Sequence, residues 1–520
     1  MIPADLQAAF EAYERAIGEN DLAVLDDSFA PGPDTLRGDA AGLLVGHDAI
    51  SSFRGARGGV APRVLDRVES RQLADDCWLL VATSRYVGGG TGLQTQVWQR
   101  ADDRWRIVAA HVTGRTPSFD RTLWRTVGDP LYQGAFEGPL AGLRVAVKEL
   151  FAVKGYRIGA GNPTWLHDAR PERAHAPAVR DLLYGGASVR GIARTDEFAY
   201  SIAGTNAHYG TPPNGAVARA LPGGSSSGPA SAVATGQADV ALASDTAGSI
   251  RVPASYQGLW GLRTTHGLVP RQGMLPLAPS FDTVGWLTRG GATLEAVAAW
   301  CLDAPDDQPV ALGSRLVVPT EAVALCEPAT RTAFEDWAAL RDVQPVSVGP
   351  LDDWFDAFRT VQGAEAWRAN GAWLEAHPDA LGADVAARFA FARTVTDEQE
   401  ATARERCRAL AASVRTLVGD AVLVLPTTPG PAPSRTASAD ELDAVRAATL
   451  RMTALAGIGG LPALSVPALS VPALSVPAMH AESSLGSSLS VAPVGVCLVG
   501  PRGADLPLVR LGRRLTGDDA

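Results

Sequence analysis

The sequence predicts a two-part fold: a small α+β cone followed by a larger α/β unit in which a mixed β-sheet is covered by helices. Three observations carry this. The chain has 520 residues, beyond the size at which a single hydrophobic core stops growing, so it should divide. Its N-terminal part passes from a helical hydrophobic period to a period of two. Beyond Leu140, short apolar runs alternate with helix-length segments, the rhythm of strands layered with helices.

In chain order, Leu6, Phe10, Tyr13 and Ile17 recur at helical spacing and predict an amphipathic helix with one buried face. Cys77–Val87, Leu93–Arg100 and Arg104–Val112 alternate or run apolar, separated by Gly88-Gly89-Gly90 and Ala101-Asp102-Asp103, and read as antiparallel hairpin strands. From Thr113 to Glu137 the pattern lapses into polar residues, prolines and glycines, as in an inter-domain linker or docking segment. The boundary is set near Arg125, giving domains 1–125 and 126–520. In the second, Leu143–Val147, Ala187–Ile192, Val422–Leu425 and Val494–Val499 read as strands, and Ala176–Tyr184 and Arg331–Ala339 as helices. Residues 462–476 are three copies of PALSV, a period that fits neither strand nor helix. They read as a duplicated loop extension, continued by a flexible HAESSLGSSLS excursion before the strand at Val494.

Composition narrows the function classes. A net charge of −10 provides no basic field for phosphate backbones, so no nucleic acid is expected as partner. The acidic N-terminus lacks a signal-peptide pattern and no apolar run reaches membrane-spanning length, which reads as a soluble, cytoplasmic protein without membrane attachment. Cys77, Cys301, Cys326, Cys407 and Cys497 are scattered and lack ligand spacing. They read as reduced thiols, and no metal or other cofactor is implied.

Chemistry concentrates in Leu221–Gly267, where the Gly/Ser cluster GGSSSG is followed by DTAGSIR and then VPASYQG. One such cluster is commonly a flexible loop. Two, bracketing an apolar segment, could aim successive backbone N–H groups at one oxyanion.

At these residues the sequence resembles the amidase-signature family, with its GGSSxG loop, its D(T/I)GGS(I/V)R segment and an upstream strand-end lysine. Ser225 precedes Ser249 by 24 positions (249 − 225), the family spacing, and Lys148 ends the strand of LRVAVKELF. Further resemblance runs through GAGNPTW, AYSIAGTNAHYGTPPN, SFDTVGWLTR and VLVLPTTPGPAP, closest to the indoleacetamide-hydrolase-like branch. The resemblance implies a catalytic Lys148, Ser225 and Ser249, with a cis peptide before Ser225. A neutral, desolvated lysine can take the proton of a serine hydroxyl. Ser225 would relay that proton from Ser249, and the backbone N–H groups of Thr246, Ala247, Gly248 and Ser249 are the expected oxyanion hole. Asp245 and Arg251 flank it as a structural pair. Three departures stand out: Glu149 for the family's aspartate, Ala247 for its second glycine, and Pro229 just after the loop. Ala247 matters only if that position needs positive φ. His111, His208 and His266 read as satisfied polar residues, and Trp165, Phe198 and Tyr200 as core aromatics or as the wall of an aryl pocket.

The N-terminal stretch, with QTQVWQRADDRWRIVAAHVTG, resembles the AtzH-like domain of the ketosteroid-isomerase-like superfamily. That resemblance implies a dimerisation or docking module, hence a homodimer, or a pocket faced by Arg37, His47, Arg54 and His111. The leading expectation is hydrolysis of a small carboxamide to carboxylate and ammonia through a serine acyl-enzyme. A carboxybiuret- or urea-type amidohydrolase and a non-catalytic amidase-like binding module are the alternatives.

Overall fold

The computed structural model describes residues 2–39, 42–57, 62–86, 91–113, 119–302, 312–313, 315–419, 421–472 and 491–518. The chain divides into two compact units, Met1–Phe119 and Asp120–Ala520. No helix among the described residues is long and apolar enough to cross a membrane.

In the smaller unit the helix Ala4–Glu19 buries Leu6, Phe10, Tyr13 and Ala16, with Ile17 half-buried beside them. It ends at Asn20, whose left-handed conformation turns the chain away. This helix packs on a six-stranded sheet ordered Gly42–Val45, Leu36–Asp39, Arg104–Thr113, Thr91–Ala101, Cys77–Tyr86, Arg63–Ala74. The three strands expected from periodicity are consecutive antiparallel neighbours, and their inward residues Leu80, Trp98 and Ile107 form the core with the helix. The strand Arg63–Ala74 escapes the apolar pattern because it is an exposed, charge-rich edge. The triple-glycine connection lies outside the described residues.

The larger unit is built on an eleven-stranded mixed sheet. Its central strands are apolar on both faces: Val422 and Val424 enter one core, Leu423 and Leu425 the other, as a sheet covered by helices on each side requires. The strand Arg144–Lys148 runs parallel to Val240–Asp245, with Leu242 beside Val147. Parallel neighbours finish at the same edge, so the residues that end them meet there.

Two expectations are corrected. The stretch taken as a linker contains the strand Trp124–Tyr132, which pairs antiparallel with Ser188–Ala193 at the sheet edge. Leu123 and Trp124 are buried, and the Trp124 indole N–H donates to Gln237 Oε1 at 2.8 Å. The PALSV repeat is no loop over its first two copies: they form the strand Ala463–Pro472, paired along its length with Val491–Val499. An odd repeat should throw successive copies to opposite faces. A bulge between Pro467 and Leu469 absorbs the extra residue, so Leu464, Val466, Leu469 and Val471 all reach the same core. Most of the third copy and the HAESSLGSSLS stretch lie outside the described residues.

Candidate active site

Three segments converge at the common end of the two parallel strands. Lys148 finishes one strand, and Ser244 and Asp245 finish the other. The loop before the buried helix Ser227–Ala234 brings Ser225 and Ser226 across them; its Gly224–Ser225 peptide is cis. Lys148 is fully buried, and its Nζ lies 2.9 Å from Ser225 Oγ, 3.0 Å from Ser226 Oγ and 3.0 Å from Ser244 Oγ. Burial lowers its pKa from 10.5 to about 7, against the opposing charges of Asp196, Asp245 and Asp282, none of which forms an ion pair with it. The cage suits both protonation states, because a hydroxyl can accept from an ammonium or donate to an amine. Ser226 Oγ donates to Ser244 O at 3.3 Å, which leaves Ser225 and Ser244 as the hydroxyls free to donate to a neutral Nζ.

Ser249 sits on the next turn of chain, with its carbonyl accepting from Ser226 N at 3.3 Å. Its hydroxyl has no hydrogen-bond partner among the described residues. The loop from Thr246 to Ile250 is shaped around the Asp245 carboxylate, which accepts from the backbone N–H groups of Gly248 at 2.9 Å, Ile250 at 3.1 Å and Arg251 at 3.4 Å. Arg251 grips the same carboxylate in a fork, Nη2 at 2.9 Å and Nε at 3.0 Å, and Arg263 Nη1 adds a third contact at 3.1 Å. Burial would raise the Asp245 pKa, but the two guanidinium groups and the backbone donors overcome it and hold the carboxylate well below its usual range. The expected Asp245–Arg251 pair therefore exists, enlarged by Arg263. Of the four N–H groups expected as oxyanion donors, that of Gly248 is committed to Asp245. The N–H groups of Thr246, Ala247 and Ser249 have no partner among the described residues.

The departures from the family pattern are absorbed locally. Positive φ falls on Gly248, at 119°, and not on Ala247, so the Ala247 Cβ meets no backbone penalty. Pro229 lies in the first turn of its helix, where a missing N–H loses no intrahelical bond. The longer Glu149 fits because residue 159 is glycine, where any Cβ would collide with the Glu149 carboxylate. That carboxylate accepts from Arg125 Nη1 at 3.5 Å, Arg194 Nη1 at 3.3 Å and Thr195 N at 3.3 Å.

The Amidase family profile matches residues 128–312 and the AtzH-like profile residues 1–116. Amidase 1 of Arabidopsis thaliana is 34% identical over 364 residues, which cover 63% of this chain and 85% of that protein. The chain belongs to the amidase family. This amidase is also 34% identical to 2-amino-5-chloromuconic acid deaminase of Comamonas testosteroni, over 73% of the chain and 82% of that protein. Among solved structures it resembles a chain of an inhibitor-bound vestigial protein complex that reveals the evolutionary origins of an s-triazine catabolic enzyme, at 27% identity and a TM-score of 0.65, covering 73% of this chain and 84% of that one. It is an amide-hydrolysing enzyme with an AtzH-like N-terminal domain.

Sequence spacing did not single out the rest of the amidase site. Ser226 and Ser244 close the cage around Lys148. Asp196 accepts from Gly204 N and Ser227 Oγ, both at 2.9 Å; burial outweighs these contacts and raises its pKa to about 6. Thr195 Oγ1 donates to Ser225 O at 2.7 Å, fixing the cis loop. Asp282, within the quoted SFDT segment, accepts from Thr246 Oγ1 at 2.6 Å and from Ala278 N at 3.1 Å. A conspicuous signal existed only for Ser226, adjacent to Ser225. The other candidates have ordinary partners. His208 pairs with Glu197 at 2.7 Å and His266 contacts Pro279 O at 2.8 Å. Trp165, Phe198 and Tyr200 join one aromatic cluster through Trp373 and Phe389. In the smaller unit Arg37 pairs with Asp39 at 2.7 Å, Arg54 donates to Tyr13 Oη at 3.1 Å, His47 contacts Asp26 O, and His111 is exposed.

Proposed function

We propose that the protein hydrolyses a small carboxamide to carboxylate and ammonia through an acyl-enzyme on Ser249. The observation that carries this reading is the dry, hydroxyl-lined setting of Lys148, which makes the amine a base at neutral pH. Neutral Lys148 takes a proton from Ser225 as Ser225 takes one from Ser249, whose Oγ attacks the amide carbon. The tetrahedral oxyanion is held by the N–H groups of Thr246, Ala247 and Ser249. The proton returns through Ser225 to the leaving nitrogen, ammonia departs, and water attacks the ester by the same relay in reverse.

Trapping tests it: with a reactive aryl amide and hydroxylamine, the wild type should form hydroxamate, and quenched protein should carry the acyl mass on the peptide containing Ser249. Ser249→Ala protein that still releases ammonia would overturn the assignment.

A urea-type substrate is the second reading, favoured by the AtzH-like profile over residues 1–116 and by the likeness to a complex tied to the origins of an s-triazine catabolic enzyme. Ammonia release from biuret-type compounds in preference to aryl and alkyl amides would select it. A cytoplasmic location and a homodimer through residues 1–125 belong to the same proposal. Cell fractionation and sedimentation of the full chain against a chain beginning at residue 120 test them; that cut spares the strand Trp124–Tyr132.

A further inference from the structure

A half-buried arginine stands unpaired on the helix that backs the site. Arg446 lies in the helix Ala439–Gly459; its Nε is shut off from solvent without a hydrogen-bond partner, and it forms no ion pair among the described residues. Burial lowers its pKa to about 10, and the neighbouring charges of Arg388 and Arg359 push the same way. Arg388 donates to Tyr200 O at 3.0 Å and holds the exposed Asp384 at 3.1 Å. The Arg359 guanidinium lies 3.8 Å over the Phe391 ring. All three cations act on the buried Tyr200 hydroxyl. The acids nearby, Asp384 and Asp443, are solvent-exposed, and the opposing charge of Asp443 does not offset the lowering at Arg446. Such a concentration of positive charge, without a buried counterion among the described residues, favours an anion that lies against it.

Two covalent tethers bring this cluster to the reacting residues. Seven residues beyond Arg446 (453 − 446), and so on the same helix face about two turns along, Thr453 donates to Ala247 O at 2.7 Å and accepts from Arg251 at 3.1 Å. Thr453 thus holds the oxyanion loop directly. Two residues beyond Tyr200 (202 − 200), Ile202 O accepts from Gly224 N at 2.8 Å, beside the Ser225 peptide. The cluster and the site are built on the same two segments.

We infer that Arg446, supported by Arg388 and Arg359, binds a carboxylate on the substrate, so that the physiological amide is the amide of an acid carrying a second, free carboxylate a short carbon chain or ring away. This rests on the amide-hydrolase reading and deepens it. Arg446 is then a specificity-determining residue: its fork meets a carboxylate in two parallel N–H···O bonds, and neutral amides leave it unpaired.

The test compares matched pairs, malonamate with propionamide, succinamate with butyramide, glutaramate with valeramide and 4-carbamoylbenzoate with benzamide. At least one carboxylate partner should exceed its neutral counterpart in kcat/KM by about 100-fold, mainly through KM. Arg446→Gln should collapse that ratio to within about threefold of unity, and Arg446→Lys should keep part of it. In the Ser249→Ala background, which removes acylation, the corresponding dicarboxylate should bind by calorimetry and weaken about 100-fold on adding Arg446→Gln. Arg359→Gln serves as a second variant should Arg446→Gln not fold. A wild type that prefers no carboxylate partner, or a ratio unchanged in folded Arg446→Gln or Arg359→Gln, overturns the inference. Hydrolysis persisting in Ser249→Ala instead overturns the acyl-enzyme assignment, and the pairwise ratio still decides the role of Arg446.

Discussion

Lys148 and Arg251 are buried cations held against the end of the same strand, each shut off from water, yet burial leaves them in opposite states. Arg251 shares two hydrogen bonds with Asp245, and this pairing overcomes burial and raises its pKa. Lys148 has three neutral hydroxyls for neighbours and carboxylates only farther off, so burial wins and its pKa falls to about 7. Burial alone therefore makes neither a fixed charge nor a base. What decides is how fully a carboxylate engages the cation: Arg263, with one contact to the Asp245 carboxylate, still has its pKa lowered to about 10 by burial, whereas that of Arg251, gripped in a fork, is raised. The contrast makes Asp245 and Arg251 the frame that holds the loop and Lys148 the group able to change its proton.

The largest expected effects come from removing the titratable member. Lys148→Arg cannot release its proton and Lys148→Met has none, so each should lower kcat/KM by about 10³- to 10⁴-fold, as should Ser249→Ala. Initial rates on one aryl amide check this, and Lys148→Arg activity within about tenfold of wild type would remove lysine as the base. Next in size is the frame. Asp245→Asn leaves Arg251 and Arg263 buried without their counterion and should reduce stability by about 3–5 kcal/mol, read as a lower midpoint in urea unfolding. A midpoint unchanged by Asp245→Asn would mean that water or rearrangement replaces the carboxylate.

Lys148→Met should show the opposite sign in stability. Because the folded pKa of about 7 lies below the ordinary 10.5, the unfolded chain binds more protons between those values, and wild-type stability rises with pH across that window. Removing the amine should raise Tm most below pH 7 and least near pH 10.5; a Tm gain independent of pH would show that packing, not charge, is responsible. The smallest effect turns one member of the comparison into the other. Ser244→Asp sets a carboxylate against Nζ, and an adjacent opposite charge raises a lysine pKa by about 1–3 units. The rising limb of kcat/KM, expected near pH 7 in the wild type, should move up accordingly, whereas Ser244→Asn should leave it in place.

The proposed reacting residues were legible because they lie in short runs whose local pattern survives in the chain: GGSSSG, DTAGSIR and a lysine ending an apolar strand. Ser244, Asp196 and Asp282 were not, since each is an ordinary polar residue until the sheet brings it beside Lys148 or Thr246. The same divide runs through the fold. Buried strands with apolar patterns, such as Cys77–Tyr86 and Ala421–Pro426, announced themselves, while Arg63–Ala74 at an exposed edge and Trp124–Tyr132 within a polar stretch did not. The PALSV copies misled because an odd period contradicts a strand unless a bulge restores the alternation, and a bulge arises from pairing with the strand Val491–Val499, not from the repeat itself.

By itself, then, the sequence determined the division into a small α+β unit and a larger α/β unit, and it placed Lys148, Ser225 and Ser249 at the spacing of the family pattern, because these depend on covalent spacing and local hydrophobic period. Only the tertiary structure decided which hydroxyls cage Lys148, that the Gly248 N–H donates to Asp245, and that Arg446 Nε has no hydrogen-bond partner among the described residues. Those features depend on which strands run parallel and end together, and on which charges are left dry without a counterion. Such long-range arrangements set the local dielectric and the hydrogen-bond partners, and with them the proton affinity of each group.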